Sequence, residues 1–198
     1  MADEHEEGSS PAVDAQAIVD ALQRAIDRDE NVHIVRASDP HPSWNGFPLA
    51  LCDEFVLVRS LHEFAVNGFA VLRLRDILEV HSTDAERFFA RVLRAEGAPE
   101  RFPAVRPVPL RSWEAVLEAV RLHYRHAIVE CEHAEGVRFF LGELAGVDGD
   151  DAMLHYIQVN GVREAALTRV PLDDITLVRF DERYVNLFGR YALGEGLH

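Results

Sequence analysis

Lysine is absent from the sequence. All 20 basic residues are arginine and stand against 34 acidic residues, so the formal net charge of the 198-residue chain is -14. A nucleic-acid-binding domain usually carries a basic stripe, because neutralising phosphates supplies most of its affinity. None of the stretches 1–30, 31–110 and 111–198 is net basic. The charge therefore disfavours RNA as a partner and leaves only a local arginine cluster as a route to it.

Cysteines and long apolar runs are also scarce. The two cysteines, Cys52 and Cys131, do not make a disulfide framework and suit a reducing compartment. No apolar run approaches the roughly 20 residues of a membrane helix. The acidic first residues lack the basic and apolar regions of a signal peptide. We predict a cytoplasmic bacterial protein with no membrane partner.

Familiar catalytic motifs are missing as well. The sequence has no glycine-rich phosphate loop, serine nucleophile elbow, Cys-x-x-Cys or His-Glu-x-x-His. Catalysis also needs acid and base groups held together in a pocket, and spacing alone places no such pair together. We therefore expect a non-enzymatic protein without a cofactor.

The patterns that are present predict an α+β protein, mainly β with flanking α-helices. Residues 1–9 are polar and acidic, which is typical of a disordered tail. Apolar residues at helical spacing predict a helix over 11–28, with Ser10 as its cap and Pro11 at its first position. Capping residues predict three further helix starts, at Thr83, Ser112 and Asp181.

Five short strands are predicted between the helices in each half of the chain. Asn67-Gly68 and Asn160-Gly161 are both hairpin signals, since Asn-Gly readily adopts the positive φ of a two-residue turn. Asp76 and Asp174 each precede an isoleucine and are expected to accept hydrogen bonds from turn backbone amides. The order helix, five strands, helix predicts two copies of one unit, over 10–97 and 112–198, joined by a proline-rich linker over 98–111.

This order of elements resembles the Sm-like and SH3-like small barrels over about 75 residues of each half. The segment from Phe140 to Leu144 is similar to the first Sm motif, and Gly142 would let its strand bend enough to close a barrel. The first half reads Phe47 to Leu51 without such a glycine. The chain is also similar to uncharacterised bacterial proteins that end in an Asp-Ile-x-x-Val strand and an Arg-Tyr or Arg-Phe helix. The first resemblance implies two barrels and RNA as an alternative ligand, and the second implies no activity.

Arginines on the predicted strands of the first half form a candidate binding face. Arg59, Arg73 and Arg75 are expected to share one exposed surface, which could bind a phosphate backbone or an acidic partner. The alternative is a solvated strand face on which these arginines pair with nearby glutamates. Trp44 lies in a proline-flanked loop, where it would either anchor a partner or fold back over the mouth of the barrel.

A metal site would use residues around the end of the first helix of the second half. Histidines three residues apart at a helix end can share a metal ion, and a Cys-x-His sequence can supply two more ligands. The alternative is that the histidines complement the negative end of the helix dipole and that the cysteine belongs to the core. The residues concerned are His123, His126, Cys131 and His133.

These features favour a protein-interaction module whose two barrels bind another protein through their exposed faces. An Sm-like RNA-binding protein that uses the arginine face is the first alternative. A metal-dependent enzyme that uses the region from His123 to His133 is the second. Five residues are expected to have structural roles only: Gly68, Asp76, Gly142, Gly161 and Asp174.

Overall fold

The computed structural model describes residues 14–37, 43–97, 104–135 and 139–194. Within these ranges the chain is mainly β with four α-helices, which confirms the α+β class. The helices are α1 (Ala15–Arg28), α2 (Asp84–Ala95), α3 (Trp113–His123) and α4 (Arg183–Tyr191). The strands are β1 (Val32–Arg36), β2 (Trp44–Leu51), β3 (Phe55–His62), β4 (Ala65–Arg73), β5 (Ile77–His81), β6 (His126–Glu130), β7 (Phe139–Asp148), β8 (Asp151–Tyr156), β9 (Val162–Arg163), β10 (Thr168–Pro171), β11 (Leu177–Phe180) and β12 (Leu193–Gly194). Short 3-10 helices over Leu74–Asp76 and Leu172–Asp174 precede β5 and β11.

No helix in the described ranges has the length and apolar character that crossing a membrane requires.

Ten of the strands form one continuous sheet. Its order is β10-β8-β7-β6-β11-β4-β3-β2-β1-β5, and β12 pairs separately with β9. The two halves of the sheet run in the same order, because β5-β1-β2-β3-β4 is matched by β11-β6-β7-β8-β10. The sheet joins them through the antiparallel pair β11 and β4, with Leu177 opposite Leu72 and Phe180 opposite Phe69.

The prediction of two closed barrels is wrong, because the sheet stays open. A five-stranded barrel in each half would need the edge of its fourth strand for closure. The β4 edge is instead occupied by β11 along four residue pairs. Pairing between the halves therefore replaces closure within the first half.

The largest core lies beneath α3 and draws on both halves. Trp113 packs against Phe55 of β3, with ring centroids 4.6 Å apart, and its indole N–H donates to the Ile175 carbonyl at 3.0 Å. The described part of the predicted linker, 104–111, also packs on this core through three side chains, Val105, Val108 and Leu110. A second core lies beneath α1, where Ile18, Leu22 and Ala25 form the buried stripe. The cores follow directly from the helical spacing of these apolar residues.

Capping residues set the helix starts. Asp14 caps α1 by accepting from the backbone N–H groups of Gln16 and Ala17, so the helix begins at Ala15 rather than at Pro11, and residues 1–13 lie outside the described ranges. The predicted capping box at Thr83 and the predicted cap at Ser112 are confirmed. A side-chain oxygen that accepts from the first free N–H groups stabilises a helix by about 1 kcal/mol.

The two Asn-Gly sequences have different structures. Asn160-Gly161 forms the predicted turn, with Gly161 at φ +83° and its N–H donating to the Gln158 carbonyl at 2.8 Å. Asn67-Gly68 does not: both residues lie inside β4, and the turn after β3 is made by Glu63 and Phe64 instead. The prediction of a hairpin turn at Gly68 is therefore wrong, although Gly68 has a positive φ of 70°.

Glycines at one position of each half allow neighbouring strands to approach closely. A Cβ on Gly142 would lie 2.5 Å from the carbonyl oxygen of His155 on β8. Gly46 stands in the same relation to β3, since its Cβ would lie 2.4 Å from the Arg59 carbonyl oxygen. The expectation that the first half lacks such a glycine is wrong, because the predicted loop around Gly46 is the start of β2.

Gly142→Val is expected to lower the free energy of unfolding by about 3 kcal/mol, because β7 and β8 would have to separate around the new side chain. Thermal unfolding followed by circular dichroism measures the change. Ala145→Val on the exposed side of the same strand is the control and adds volume where there is room. Equal melting temperatures for the two variants would show that the close approach at Gly142 does not constrain the fold.

Buried arginines cross the junction between the halves. Arg36 of β1 forms a bidentate ion pair with Glu132, and the Thr176 hydroxyl donates to the same carboxylate at 2.7 Å. Arg73 donates to the carbonyl oxygens of Leu172 and Asp173 at 3.2 and 3.1 Å. Charge-assisted hydrogen bonds of this kind are stronger than neutral ones, so the junction has a polar as well as an apolar part.

Candidate protein-binding site

Helix α4 has apolar residues on two faces, and only one of them is buried. Val185 is fully buried, and Phe188 and Ala192 pack beside it over the second half of the sheet. Tyr184, Leu187 and Tyr191 lie on the neighbouring face and are 46%, 41% and 68% exposed, and the Tyr184 ring packs against that of Phe188 with centroids 4.7 Å apart. A contiguous exposed apolar surface of this kind is typical of an interaction site.

The first half of the chain holds the N-terminus of α4. The Asn67 side-chain oxygen accepts from the Arg183 backbone N–H at 3.1 Å and so caps the N-terminus of α4. Asp181, the predicted cap, instead accepts from the Asn186 side chain at 3.0 Å. Because α4 is anchored at both its buried face and its N-terminus, its exposed face is a rigid surface.

An apolar groove runs along one side of the exposed Leu187. It has a volume of about 410 Å³. Its floor and walls are mainly apolar residues of α4 and of the β8–β9 turn, where Val159 is 89% exposed, and Asn160 is the polar residue among them. The main lining residues are Val159, Gly161, Leu187, Phe188, Tyr191 and Ala192. A groove of this size accommodates one or two apolar side chains of a partner.

A polar groove of about the same volume, 410 Å³, runs along the other side of Leu187. Arg183 and Arg190 line it on α4, and Asn67 and Gly68 line it on β4. Asp181, just before α4, also lines it. Neither guanidinium forms an ion pair or a hydrogen bond with a residue in the described ranges. Both cations are exposed, so their N–H donors are available to a carboxylate or phosphate.

The predicted arginine face is not formed. Arg73 is only 4% exposed, and its guanidinium lies over the Trp113 ring, 5.7 Å from the ring centroid. Burial lowers the pKa of Arg73 and of Arg59. Arg75 is exposed and lies 3.9 Å from the Asp76 carboxylate. The three arginines therefore do not share a surface on which a phosphate backbone could lie.

Trp44 starts β2 and is not at a loop tip. Its indole N–H donates to the Ser60 hydroxyl at 3.0 Å, and the Arg179 guanidinium lies 5.7 Å from its ring centroid. The side chain is half-buried against the core beneath α1. Trp44 thus contributes to the junction between the halves and does not project as an anchor.

The residues of the predicted metal site are separated by the sheet. Cys131 belongs to the core beneath α3, and burial raises the pKa of its thiol to about 12. His126 lies on the other face beside Gly189 of α4, and burial lowers its pKa. His123 is exposed at the end of α3, and His133 pairs with Asp76 at 3.2 Å. The described ranges contain no cluster of three or more histidine, cysteine or carboxylate side chains suited to a metal ion.

The aspartates predicted to stabilise turns do not bind backbone amides. Asp76 is 6% exposed, one of its oxygens contacts His133, and the other has no hydrogen-bond partner in the described ranges. Asp174 lies exposed at the end of its 3-10 helix and makes no side-chain hydrogen bond to a described residue. The corner between β4 and β5 is instead closed by the Ala37 N–H, which donates to the Asp76 carbonyl at 2.8 Å.

The surface of α4 was visible in the sequence only as a second apolar stripe. Tyr184, Leu187 and Tyr191 recur at helical spacing, as do the buried Val185, Phe188 and Ala192. Periodicity shows that both stripes exist but does not show which one faces the sheet. The flanking Arg183 and Arg190 mark the solvent side, because unpaired charges are rarely buried.

Similarity to known proteins does not indicate what binds at α4. The sequence matches no protein-family model and no curated protein, and the fold matches no solved structure. The chemistry of the surface is therefore the basis on which a function is proposed.

Proposed function

We propose that this protein is a non-enzymatic protein-interaction module that binds a peptide segment of apolar and acidic residues along α4. The observation that carries the proposal is the position of Leu187 between two grooves of opposite character. One groove is apolar, and the other presents the unpaired guanidinium groups of Arg183 and Arg190. An aliphatic or aromatic side chain would fill the first, and neighbouring carboxylates would pair with the arginines in the second.

The charge of the whole chain supports an acidic partner at this one place. With a net charge of -14, most of the surface repels acidic segments. The polar groove beside α4 is an exception, since two arginines, Arg183 and Arg190, line it against one carboxylate, that of Asp181. Repulsion elsewhere and attraction here would orient the partner. Binding should weaken as salt is added, because exposed charges are screened.

The two halves of the sheet are, in the same proposal, copies of one small unit related to Sm-like and SH3-like folds. Their identical strand order and the matched glycines, Gly46 and Gly142, support this view. The site is built where the copies differ. Only the second copy ends in a helix whose N-terminus is held by the other copy.

Selection from a displayed library of random 12-residue peptides tests the proposal. Peptides enriched on the intact protein are expected to combine an apolar residue with two or three acidic neighbours, and to bind with micromolar affinity, as small interfaces do. Leu187→Asp is expected to weaken the selected peptides by at least about 30-fold, since it places a charge between the grooves and repels the acidic ligand.

Leu122→Asp is the matched control, because Leu122 is 63% exposed on α3, away from both grooves. It carries the same change in charge and should leave peptide binding within about twofold. Enrichment of peptides without acidic residues would contradict the proposed partner. Equal loss of binding in the two variants would contradict the proposed site.

A further inference from the structure

Another concave site lies between the C-terminal end of α1 and helix α2. It has a volume of about 350 Å³ and is separate from the grooves at α4. Arg28 lines it from α1, and Arg87 and Arg94 line it from α2. Three guanidinium groups at one concave site are unusual in a chain with 34 acidic and 20 basic residues.

Most of the donor capacity of these arginines is unused. Arg94 donates to a neutral group, the Asp29 carbonyl oxygen, at 3.2 Å. Arg28 has only a 3.9 Å contact with Glu30. Arg87 is the one with a close acidic partner, Asp84 at 2.7 Å. Since each guanidinium has five N–H donors, Arg94 and Arg28 keep both charge and donors for an added anion.

The two carboxylates that line the site differ in their contacts. Burial acts to raise the pKa of Glu86, but its Oε2 atom accepts from the backbone N–H and the hydroxyl of Thr83 at 2.7 and 2.5 Å, and these bonds hold the pKa below the usual range. Glu30 has only the 3.9 Å contact with Arg28. Three guanidinium groups and two carboxylates line the site, so the lining carries one more positive than negative charge.

Asn31 supplies a second and independent indication of a ligand. Its side chain lines the same site and the residue is 3% exposed. Its amide nitrogen donates to the Glu86 carbonyl oxygen at 3.4 Å. This contact fixes the orientation of the amide group, because the flipped orientation would place the Asn31 oxygen against the Glu86 oxygen. The Oδ1 atom is then left without a partner in the described ranges. A buried acceptor without a donor is costly. The atom is closed to solvent, so a ligand hydroxyl would satisfy it once the side chain turns toward the site.

We propose that this site binds a small phosphate monoester whose carbon skeleton carries a hydroxyl group, as a sugar phosphate does. The phosphate would pair with Arg94 and Arg28, because guanidinium groups match the geometry of its oxygens. The hydroxyl would donate to the Asn31 Oδ1 atom. The volume suits a ligand of this size. The inference stands apart from the peptide site, since no residue is shared between them.

Isothermal titration calorimetry of the full chain at low salt, with ribose 5-phosphate, inorganic phosphate and ribose as probes, tests the proposal. Ribose 5-phosphate is expected to bind saturably and at least about fivefold more tightly than inorganic phosphate, because only the former can donate to Asn31. Ribose alone should not bind. Arg94→Gln is expected to weaken ribose 5-phosphate at least about tenfold.

Arg91→Gln is the control for charge, because Arg91 is an exposed arginine on the same helix that lies over the Phe88 ring and outside the site. It should change the affinity by less than about twofold. Absence of saturable binding, or equal losses in Arg91→Gln and Arg94→Gln, would overturn the site. Equal affinities for inorganic phosphate and ribose 5-phosphate would overturn the role of Asn31 and the hydroxyl.

Discussion

Gly68→Ala is expected to lower the free energy of unfolding by about 4 kcal/mol or more, enough to prevent folding of a marginally stable chain. A Cβ at this position would lie 2.5 Å from the Phe180 carbonyl oxygen and 2.6 Å from both the Asp181 carbonyl carbon and the Glu182 nitrogen. All three are backbone atoms, so no side chain can rotate out of the way. The substitution also places a side chain at φ +70°, where L-residues are strained.

Gly97→Ala is the control that separates the two effects of Gly68→Ala, the steric clash and the backbone strain. Gly97 has almost the same φ, +68°, and a Cβ there would meet nothing within 4 Å. Its substitution should cost about 1 kcal/mol. Urea unfolding followed by circular dichroism compares the two variants. Equal costs would show that the strands of the two halves can move apart at Gly68, and that their junction is not tightly packed.

Arg179→Met is expected to lower the free energy of unfolding by about 3 to 5 kcal/mol, because it leaves one buried and one largely buried carboxylate without their counter-charge. The Arg179 guanidinium lies 2.8 Å from Glu130 and 3.4 Å from Glu182, and the side chains of these glutamates are 18% and 3% exposed. Methionine retains much of the length and apolar contact of arginine. The loss of stability therefore reports the removal of the positive charge rather than a change in side-chain volume. Chemical denaturation at pH 7 gives the value.

The cost of Arg179→Met should shrink as the pH is lowered. Burial raises the pKa of both Glu130 and Glu182. A carboxyl group whose pKa is raised in the folded state binds its proton more tightly after folding. Its charged form therefore destabilises the folded state at high pH, and this destabilisation disappears as the pH falls through the folded-state pKa. The difference in the free energy of unfolding between the variant and the parent protein should therefore decline as the pH falls from neutral toward the ordinary pKa of glutamate.

Two variants test this reading of Arg179. Glu182→Gln in the Arg179→Met background should recover part of the stability at pH 7, because the amide removes a buried charge. Arg169→Met is the matched control, since Arg169 also contacts two acids, Asp148 and Asp151, but at the surface. It should change the denaturation midpoint little at any pH. A pH-independent cost for Arg179→Met would contradict the electrostatic explanation.

The parts of the fold that could be predicted from the sequence depend on neighbours along the chain. The capping box at Thr83, the apolar stripe of α1 and the turn at Gly161 are examples. Each is decided by residues within a few positions, where spacing and local hydrogen bonding leave one favourable arrangement. The α+β class follows from the same patterns.

The candidate site could be predicted only in part. The second apolar stripe of α4 and its two arginines are present in the printed sequence. The sequence does not show that Asn67 caps this helix from 116 positions away, or that Asn31 lines a site with Arg94. Contacts between distant residues leave no periodic pattern, because either partner alone has an ordinary surface or turn context.

The sequence by itself determined that this protein has helices with apolar stripes and a turn at Gly161, since those depend on local sterics and on the spacing of side chains. Only the tertiary structure decided that β4 pairs with β11 instead of closing a barrel. Several strand edges compete for each pairing, and the choice depends on which edges the whole chain leaves free. That one choice gives Gly68 its close backbone neighbours. The same pairing brings Asn67 to the N-terminus of α4 and thereby makes the proposed binding surface rigid.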